Sequence, residues 1–504
     1  MKYLKSTRRL ISRDTNGRFI SAVENSVLEK NVDFKNALPY RSVPGPKPLP
    51  YLGNTWRFIP FVGDFEIEHI DKVSERLYKR YGKIVKMEGL LGRPDMVFLF
   101  DPDDIEKVFR QEDILPYRPS MPSLNYYKHV YRKEFFGEHG GVIAVHGEKW
   151  QSFRSKVNQI MMQPRIAKMY VKAIESTAQE FVDRIEYLKN EDYELSEDLL
   201  NELHKWSLEC NYSKSSSRCS FGLFGQKFSP RYPKINKRCE YIFLLTYRSS
   251  NSKFHFGKYS EPPTFVKYIE ALDTIRVICM KYINKSLEDL KSSGSGNEIS
   301  VLQRVLRLEN DPKIAIILAL DMFLVGIDTT SNAAASVLYQ LAIHPDKQQI
   351  LKDEVLRILP DTSTPITNQR LEQMQYLRAC IKETMRMYPV VIGNGRQTTK
   401  DCVIFQHYVI SNQEQYFPES KEFLPERWLK SCHLYKEYHP FASLPFGFGR
   451  RMCLGRRFAE LELQILLAKV IRSYSIEYHH EKLDYFIHPM YTPNGPLKLK
   501  FIKR

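Results

Sequence analysis

Apolar residues recur along this chain at helical spacing over several long stretches and in alternation over a few short ones. The longest helical stretch runs from Pro312 to Ile343. Asp311 precedes it as a capping residue, Pro312 takes the first helical position, where a missing N–H costs nothing, and His344-Pro345 stops it. These 32 residues predict a helix about 48 Å long, enough to cross a whole domain. The run RRFAELELQILLAKVI, beginning at Arg456, predicts a second helix from its spacing and its Ala, Leu and Glu content. Two more are predicted where Gly147-Glu148-Lys149-Trp150 opens a helical segment and where IKETMRMYP is ended by Pro389. The runs IVKMEGLLG and MVFLF, separated by Gly92-Arg93-Pro94, predict two strands of a small sheet.

Polar interruptions change this picture in three places. After HKWSLE the chain reads CNYSKSSSRCS, from Cys210 to Ser220, and five serines, a lysine and an arginine present no apolar face, so a packed helix is not expected there. The segment YRSSNSKFHFGKYSEPP, starting at Tyr247, is similarly polar. In the middle of the long helix, Gly326-Ile327-Asp328-Thr329-Thr330-Ser331 sets a carboxylate and hydroxyls among apolar residues, where each needs a partner. Back-bonded threonines at a helix kink would satisfy that need without any chemistry.

The stretch FGFGRRMCLG, Phe446 to Gly455, carries the chemistry. It orders Phe446, Gly449, Arg451, Cys453 and Gly455 as F-x-x-G-x-R-x-C-x-G. A cysteine that ligates iron must be held as thiolate, and backbone N–H groups, a helix N-terminus and nearby cations do this. Gly447 and Gly449 permit tight turns and close approach to a flat ligand, Cys453 lies just ahead of the second helix, and Arg451 can meet an anionic group. A lone cysteine here would read as buried structure, but five matched positions in ten residues reverse that preference.

At these residues the chain resembles the cytochrome P450s, haem-thiolate monooxygenases, and the resemblance runs from about Pro44 to the C-terminus. It implies a mainly α fold with small β-sheets (α+β), a long central helix and a haem-thiolate loop. Cys453 becomes the axial ligand of haem b (iron protoporphyrin IX), Phe446 its shield, and Arg451 a propionate partner. Trp150 and Arg154, four residues apart and so on one helix face, match a W-x-x-x-R pair aimed at a propionate. Gly326, Asp328 and Thr329 match [AG]-G-x-[DE]-T-[TS], with Val325 replacing the small first residue, and imply an acid and alcohol pair that delivers protons during O2 activation. A bare E-x-x-R is usually a surface ion pair worth roughly 0.2–0.5 kcal/mol. With Pro425-Glu426-Arg427-Trp428 following, Glu383, Arg386 and Arg427 match the family's buried structural cluster. One departure stands out. After Arg396, related chains carry a hairpin with a Pro-Lys-Gly-type turn, whereas this chain passes from Asp401-Cys402-Val403-Ile404 straight to Phe405-Gln406-His407-Tyr408-Val409-Ile410, which would leave a strand edge unpaired.

Composition then bears on compartment and partners. The chain has 504 residues and a net charge of +16, which favours an acidic partner or an anionic membrane surface. Nucleic acid is the other reading of such charge, and no zinc-finger spacing or RNA-binding signature supports it. The eight cysteines form no C-x-x-C pairs and indicate a reducing compartment. No apolar stretch of about eighteen residues opens the chain, so an N-terminal membrane anchor is not expected. Residues 1–35 instead read as a mitochondrial transit peptide or disordered leader, with Lys2, Lys5, Arg8, Arg9, Arg13 and Arg18 against Asp14, followed by a single domain over 36–504. Arg378 and Lys382 make one basic helix face, and Arg456 and Arg457 follow the cysteine; by resemblance these receive an acidic ferredoxin fed by an NADPH-dependent ferredoxin reductase. The expected enzyme inserts one oxygen atom from O2 into a small hydrophobic substrate, sterol-like, lipid or xenobiotic, on the matrix side of the inner mitochondrial membrane, with which it associates peripherally. The competing readings are a catalytically silent haem-binding or misfolded isoform lacking the hairpin, and a haem-thiolate isomerase or dehydratase.

Overall fold

The computed structural model describes residues 11–13, 19–21, 37–91, 93–118, 121–195, 199–215, 263–292, 300–309, 311–397, 402–487 and 490–504. It falls into two compact units, 1–45 and 46–504. In the first, Ile11–Arg13 pairs antiparallel with Phe19–Ser21, and Tyr40–Ser42 makes one 3-10 turn. The other residues of the basic leader, and the polar segment from Tyr247 to Pro262, lie outside the described residues.

The second unit is built around one helix, Pro312–Ile343. Asp311 caps it by accepting the Lys313 N–H at 2.9 Å, and His344 ends it, so local capping chemistry fixes both bounds. The helix is apolar enough to cross a membrane by length and composition, but 72% of its most apolar window is buried inside the protein, which makes it a core helix. Helices Leu199–Ser215, Pro263–Ser292, Val301–Leu308, Gln375–Met387 and Arg456–Ser473 pack around it.

The small sheet orders its strands Ile84–Met87, Met96–Leu99, Cys402–Phe405 and Asn394–Gln397. Cys402–Phe405 runs parallel to Met96–Leu99 on one side and antiparallel to Asn394–Gln397 on the other, over its full length. The direct passage through Phe405 therefore leaves that strand paired on both edges, and Gln406 continues by donating its N–H to Leu99 O before helix His407–Ser411 begins. The edge strand is met in turn by Tyr117, whose carbonyl accepts the Gln397 N–H at 2.9 Å.

The expectation of no packed helix after Glu209 needs correction. Helix Leu199–Ser215 continues past it with Cys210 and Asn211 buried. Asn211 is tolerated because its amide donates to Ser207 O at 2.9 Å and because Gly326 opposite has no side chain; a Cβ there would come within 3.1 Å of Asn211 Oδ1. Residues 216–220 lie outside the described residues.

Glu383, Arg386 and Arg427 meet in a fully buried cluster. Arg386 grips Glu383 through Nε and Nη2 at 2.9 and 2.8 Å, and Arg427 Nε reaches Glu383 Oε1 at 2.9 Å. Trp428 Nε1 adds a fourth bond to Oε2, while the outer guanidinium nitrogens bond the carbonyls of Ser411, Ser420, Pro418 and Glu419. A buried ion pair holds only when its remaining donors and acceptors are met, as they are here.

Candidate active site

Two positive-φ glycines shape the cysteine loop. Gly447 (φ 69°) and Gly449 (φ 74°) adopt backbone that other residues avoid, and a Cβ on Gly449 would strike Glu112 Oε1 at 2.4 Å. The loop closes through Cys453 N–H to Phe446 O at 2.9 Å, and Gly455 leads into helix Arg456–Ser473. Burial pushes the Cys453 thiol pKa up, opposed by the N–H of Gly455, the cations Arg154 and Arg118, and the N–H of Arg456. Cys453 nevertheless keeps substantial accessible surface. A group that is accessible yet desolvated by surrounding protein lines a cavity. The Arg456 guanidinium lies 5.3 Å from the centroid of the Phe446 ring.

Above this loop stands a cluster of cations with too few anions. Arg451 donates from Nε to Pro116 O (3.0 Å) and from Nη2 to Val145 O (2.9 Å), and stacks 3.7 Å from the Trp150 ring centroid. Arg154 donates to Met452 O at 2.8 Å, so helix Gly147–Met161 reaches the cysteine loop through both positions of the W-x-x-x-R pair. Two further arginines join: Arg118, and Arg396, which is held by Glu112 at 2.7 Å. Burial, and then the neighbouring Arg118, Arg396 and Arg154, lower Arg451 to about 9; burial lowers Arg154 to about 10, with Cys453 opposing the shift and Arg118 adding to it. Arg118 is lowered in the same way, first by burial and then by Arg396. Arg118 Nε, Trp150 Nε1, Arg154 Nε and Arg451 Nη1 are buried with no hydrogen-bond partner among the described residues. Such donors are costly unless an anion meets them. A flat ligand bearing two carboxylates beside a cysteine thiolate suits this set, and haem b is such a ligand. Arg118 and Arg396 escaped sequence reasoning because an isolated arginine in a loop or short strand carries no pattern.

The polar turn of the central helix is tied both to itself and to Leu199–Ser215. Thr329 Oγ1 donates to Val325 O at 3.0 Å, and Ser331 Oγ and Asn332 Nδ2 bond Ile327 O and Asp328 O at 2.8 Å each. Asp328 is buried, with His204 Nε2 3.4 Å from its Oδ1. Gly326 turns its missing side chain toward Asn211, and its carbonyl accepts from Ser207 Oγ at 3.3 Å.

On the outer side, Lys382 lies within electrostatic reach of Arg378, Glu460 and Arg456; burial and the two arginines lower its pKa. Arg456 is bonded to Glu460 at 2.9 Å, and Arg378 braces Leu371 O and Glu372 O. Arg457 is exposed. Three of the four basic residues thus share one patch.

The helical fold around one core helix, the cysteine loop and the arginine cluster together define a haem-thiolate protein. The sequence profile of the cytochrome P450s matches residues 43–501. Among the relatives are three probable cytochrome P450s of Drosophila melanogaster. The mitochondrial 301a1 is 44% identical over 490 residues, covering 94% of this chain and 88% of the relative. The 49a1 protein is 43% identical over 491 residues, covering 92% and 83%, and the mitochondrial 12a5 is 32% identical over 532 residues, covering 99% and 98%. The chain belongs to the family of the cytochrome P450s: it is an oxidoreductase, a monooxygenase whose cofactor is haem held by a cysteine thiolate.

Proposed function

We propose that this chain is a mitochondrial monooxygenase that hydroxylates a small hydrophobic substrate, a sterol-like, lipid or foreign compound, with electrons from an acidic ferredoxin. The observation that carries the reading is the setting of Cys453, which receives the N–H of Gly455 and Arg456 under a cluster of arginines whose donors lack an anion. Cys453 would ligate haem b, and the bound haem supplies the oxygen-activating chemistry, the thiolate favouring O–O cleavage.

The chain's own residues do the rest. Trp150, Arg154 and Arg451, joined by Arg118, would hold the two propionates through the buried donors that have no partner among the described residues. Gly449 keeps the loop tight, and Phe446 shields the sulfur. Thr329 releases its bond to Val325 O and turns its hydroxyl into the cavity, where it passes a proton that Asp328 replaces. Gly326 lets Leu199–Ser215 approach and so sets the helix that carries this pair. Glu383, Arg386 and Arg427 hold the frame on which the cysteine loop rests. Arg378, Lys382, Arg456 and Arg457 receive the ferredoxin, since a basic patch steers an acidic partner. The basic leader and the mitochondrial names of two relatives support residence in mitochondria; the matrix side of the inner membrane is part of the proposal, as the compartment in which the enzyme meets its ferredoxin.

Carbon monoxide added to the reduced holoprotein tests the reading. A thiolate-type Soret band that is lost in Cys453→Ser supports it. An ordinary haem band, or none, points to a silent haem-binding product, and turnover that survives without O2 points to an isomerase or dehydratase.

A further inference from the structure

Helix Leu199–Ser215 crosses the central helix at its polar turn, and three of its residues make the crossing. His204, Ser207 and Asn211 fall at i, i+3 and i+7, one face of a helix. Ser207 Oγ donates to Gly326 O at 3.3 Å, and Asn211 fills the space where Gly326 lacks a side chain. These two contacts fix the register, and the register delivers His204 Nε2 to 3.4 Å from Asp328 Oδ1. Both side chains are almost fully buried, His204 at 5% and Asp328 at 4% exposure.

We propose that His204 is a positioning residue for Asp328: its Nε2 stands 3.4 Å from Oδ1, not aligned as a formed hydrogen bond, and a small turn of the imidazole brings the N–H onto that oxygen and holds the carboxyl group in one rotamer for proton transfer. The proposal rests on the role given to Asp328 above and extends it to a second helix. Burial lowers the His204 pKa to about 4, so the imidazole is neutral at physiological pH and acts as a hydrogen-bond donor, not as a counter-charge. A neutral donor leaves the carboxylate free to gain and lose a proton, whereas a lysine or arginine would hold it ionised. The nearest charged residues of the same helix are otherwise engaged: Glu202 is bonded to Lys205 and to Arg184 of helix Val171–Leu188. The role is positional because nothing places His204 against the cofactor side of the central helix.

Reduction of O2 to H2O2 by the holoenzyme tests this without knowledge of the substrate, since each O2 takes up two electrons and two protons. The assay contains NADPH, a ferredoxin and its reductase, and the variants are His204→Phe, His204→Gln, Asp328→Asn and the double variant His204→Phe/Asp328→Asn. Asp328→Asn is expected to slow the reaction by about tenfold or more, and His204→Phe by about three- to tenfold. His204→Gln, which keeps an N–H donor, should stay within about twofold of the wild type, and the double variant should equal Asp328→Asn alone. A second readout is urea unfolding of the same holoproteins, where the two single changes should be non-additive by about fivefold in the unfolding constant. If Asp328→Asn slows O2 reduction while His204→Phe does not, or if the two effects simply multiply, the inference is wrong and the role of Asp328 survives. If Asp328→Asn leaves the rate unchanged, the assignment of Asp328 itself falls, and the inference with it.

Discussion

The guanidinium carbon of Arg451 lies 3.7 Å from the centroid of the Trp150 indole, joining the cysteine loop to helix Gly147–Met161. Stacking of this kind suits a planar, delocalised cation, and the same guanidinium bonds two carbonyls through its fork. Arg451→Lys is therefore expected to keep the charge and lose the geometry. Transfer of haem from the holoprotein to an excess of apomyoglobin should be at least about tenfold faster in Arg451→Lys, and faster also in Trp150→Leu.

Lys128 and Asp321 form a buried ion pair at 2.6 Å, each side chain 3% exposed. Lys128 also bonds Gly140 O, and Asp321 Oδ2 accepts the Val142 N–H, so the pair ties the chain just before Val145 and His146 to the central helix. Removing one partner leaves a buried charge, and Asp321→Leu or Lys128→Met should each cost about 3–5 kcal/mol in urea unfolding. The double change Lys128→Met/Asp321→Leu should cost less than either, which a double-mutant cycle reads directly.

Glu383 accepts hydrogen bonds from Arg386, Arg427, Trp428 and the backbone of Leu424. Glu383→Gln keeps the shape but leaves two buried guanidinium groups without a counter-charge. It should lower stability by about 3–5 kcal/mol and reduce the yield of folded holoprotein, measured by haem absorbance per chain.

His407 is buried, both its ring nitrogens lack a hydrogen-bond partner among the described residues, and burial, with Arg396 nearby, lowers its pKa to about 3 from 6.5. A base whose folded pKa is depressed stays neutral in the fold but takes up a proton on unfolding. Its contribution to stability is thus present above pH 6.5 and is lost as pH falls from there toward 3. His204, lowered to about 4, acts in the same direction. Unfolding followed between pH 6 and 4.5 should show His407→Phe losing one proton of uptake, a slope smaller by ~1.4 kcal/mol per pH unit.

Lys382 sits between Arg378 and Arg456 on the basic patch. Lys382→Glu should raise the KM for an acidic ferredoxin by about tenfold at low salt, and the difference should shrink as salt is added. An unchanged KM would move the docking face elsewhere.

Much of this molecule is legible in its sequence, and the reason is locality. The bounds of Pro312–Ile343 follow from one capping aspartate, one proline and one His-Pro step, each acting within a few residues of itself. The cysteine loop is legible for the same reason, because two glycines with positive φ and a helix start are written in ten consecutive positions. Polar composition misled where tertiary packing overrode it: Asn211 is buried because a glycine 115 residues away in the chain makes room for it. Lys128 and Asp321, 193 residues apart, show no mutual pattern along the chain, and neither do His204 and Asp328 or the arginines gathered around Arg451. Short-range rules set which elements form and where they end; which charges meet in the interior was decided only when helices distant in sequence closed on one another and water was expelled between them.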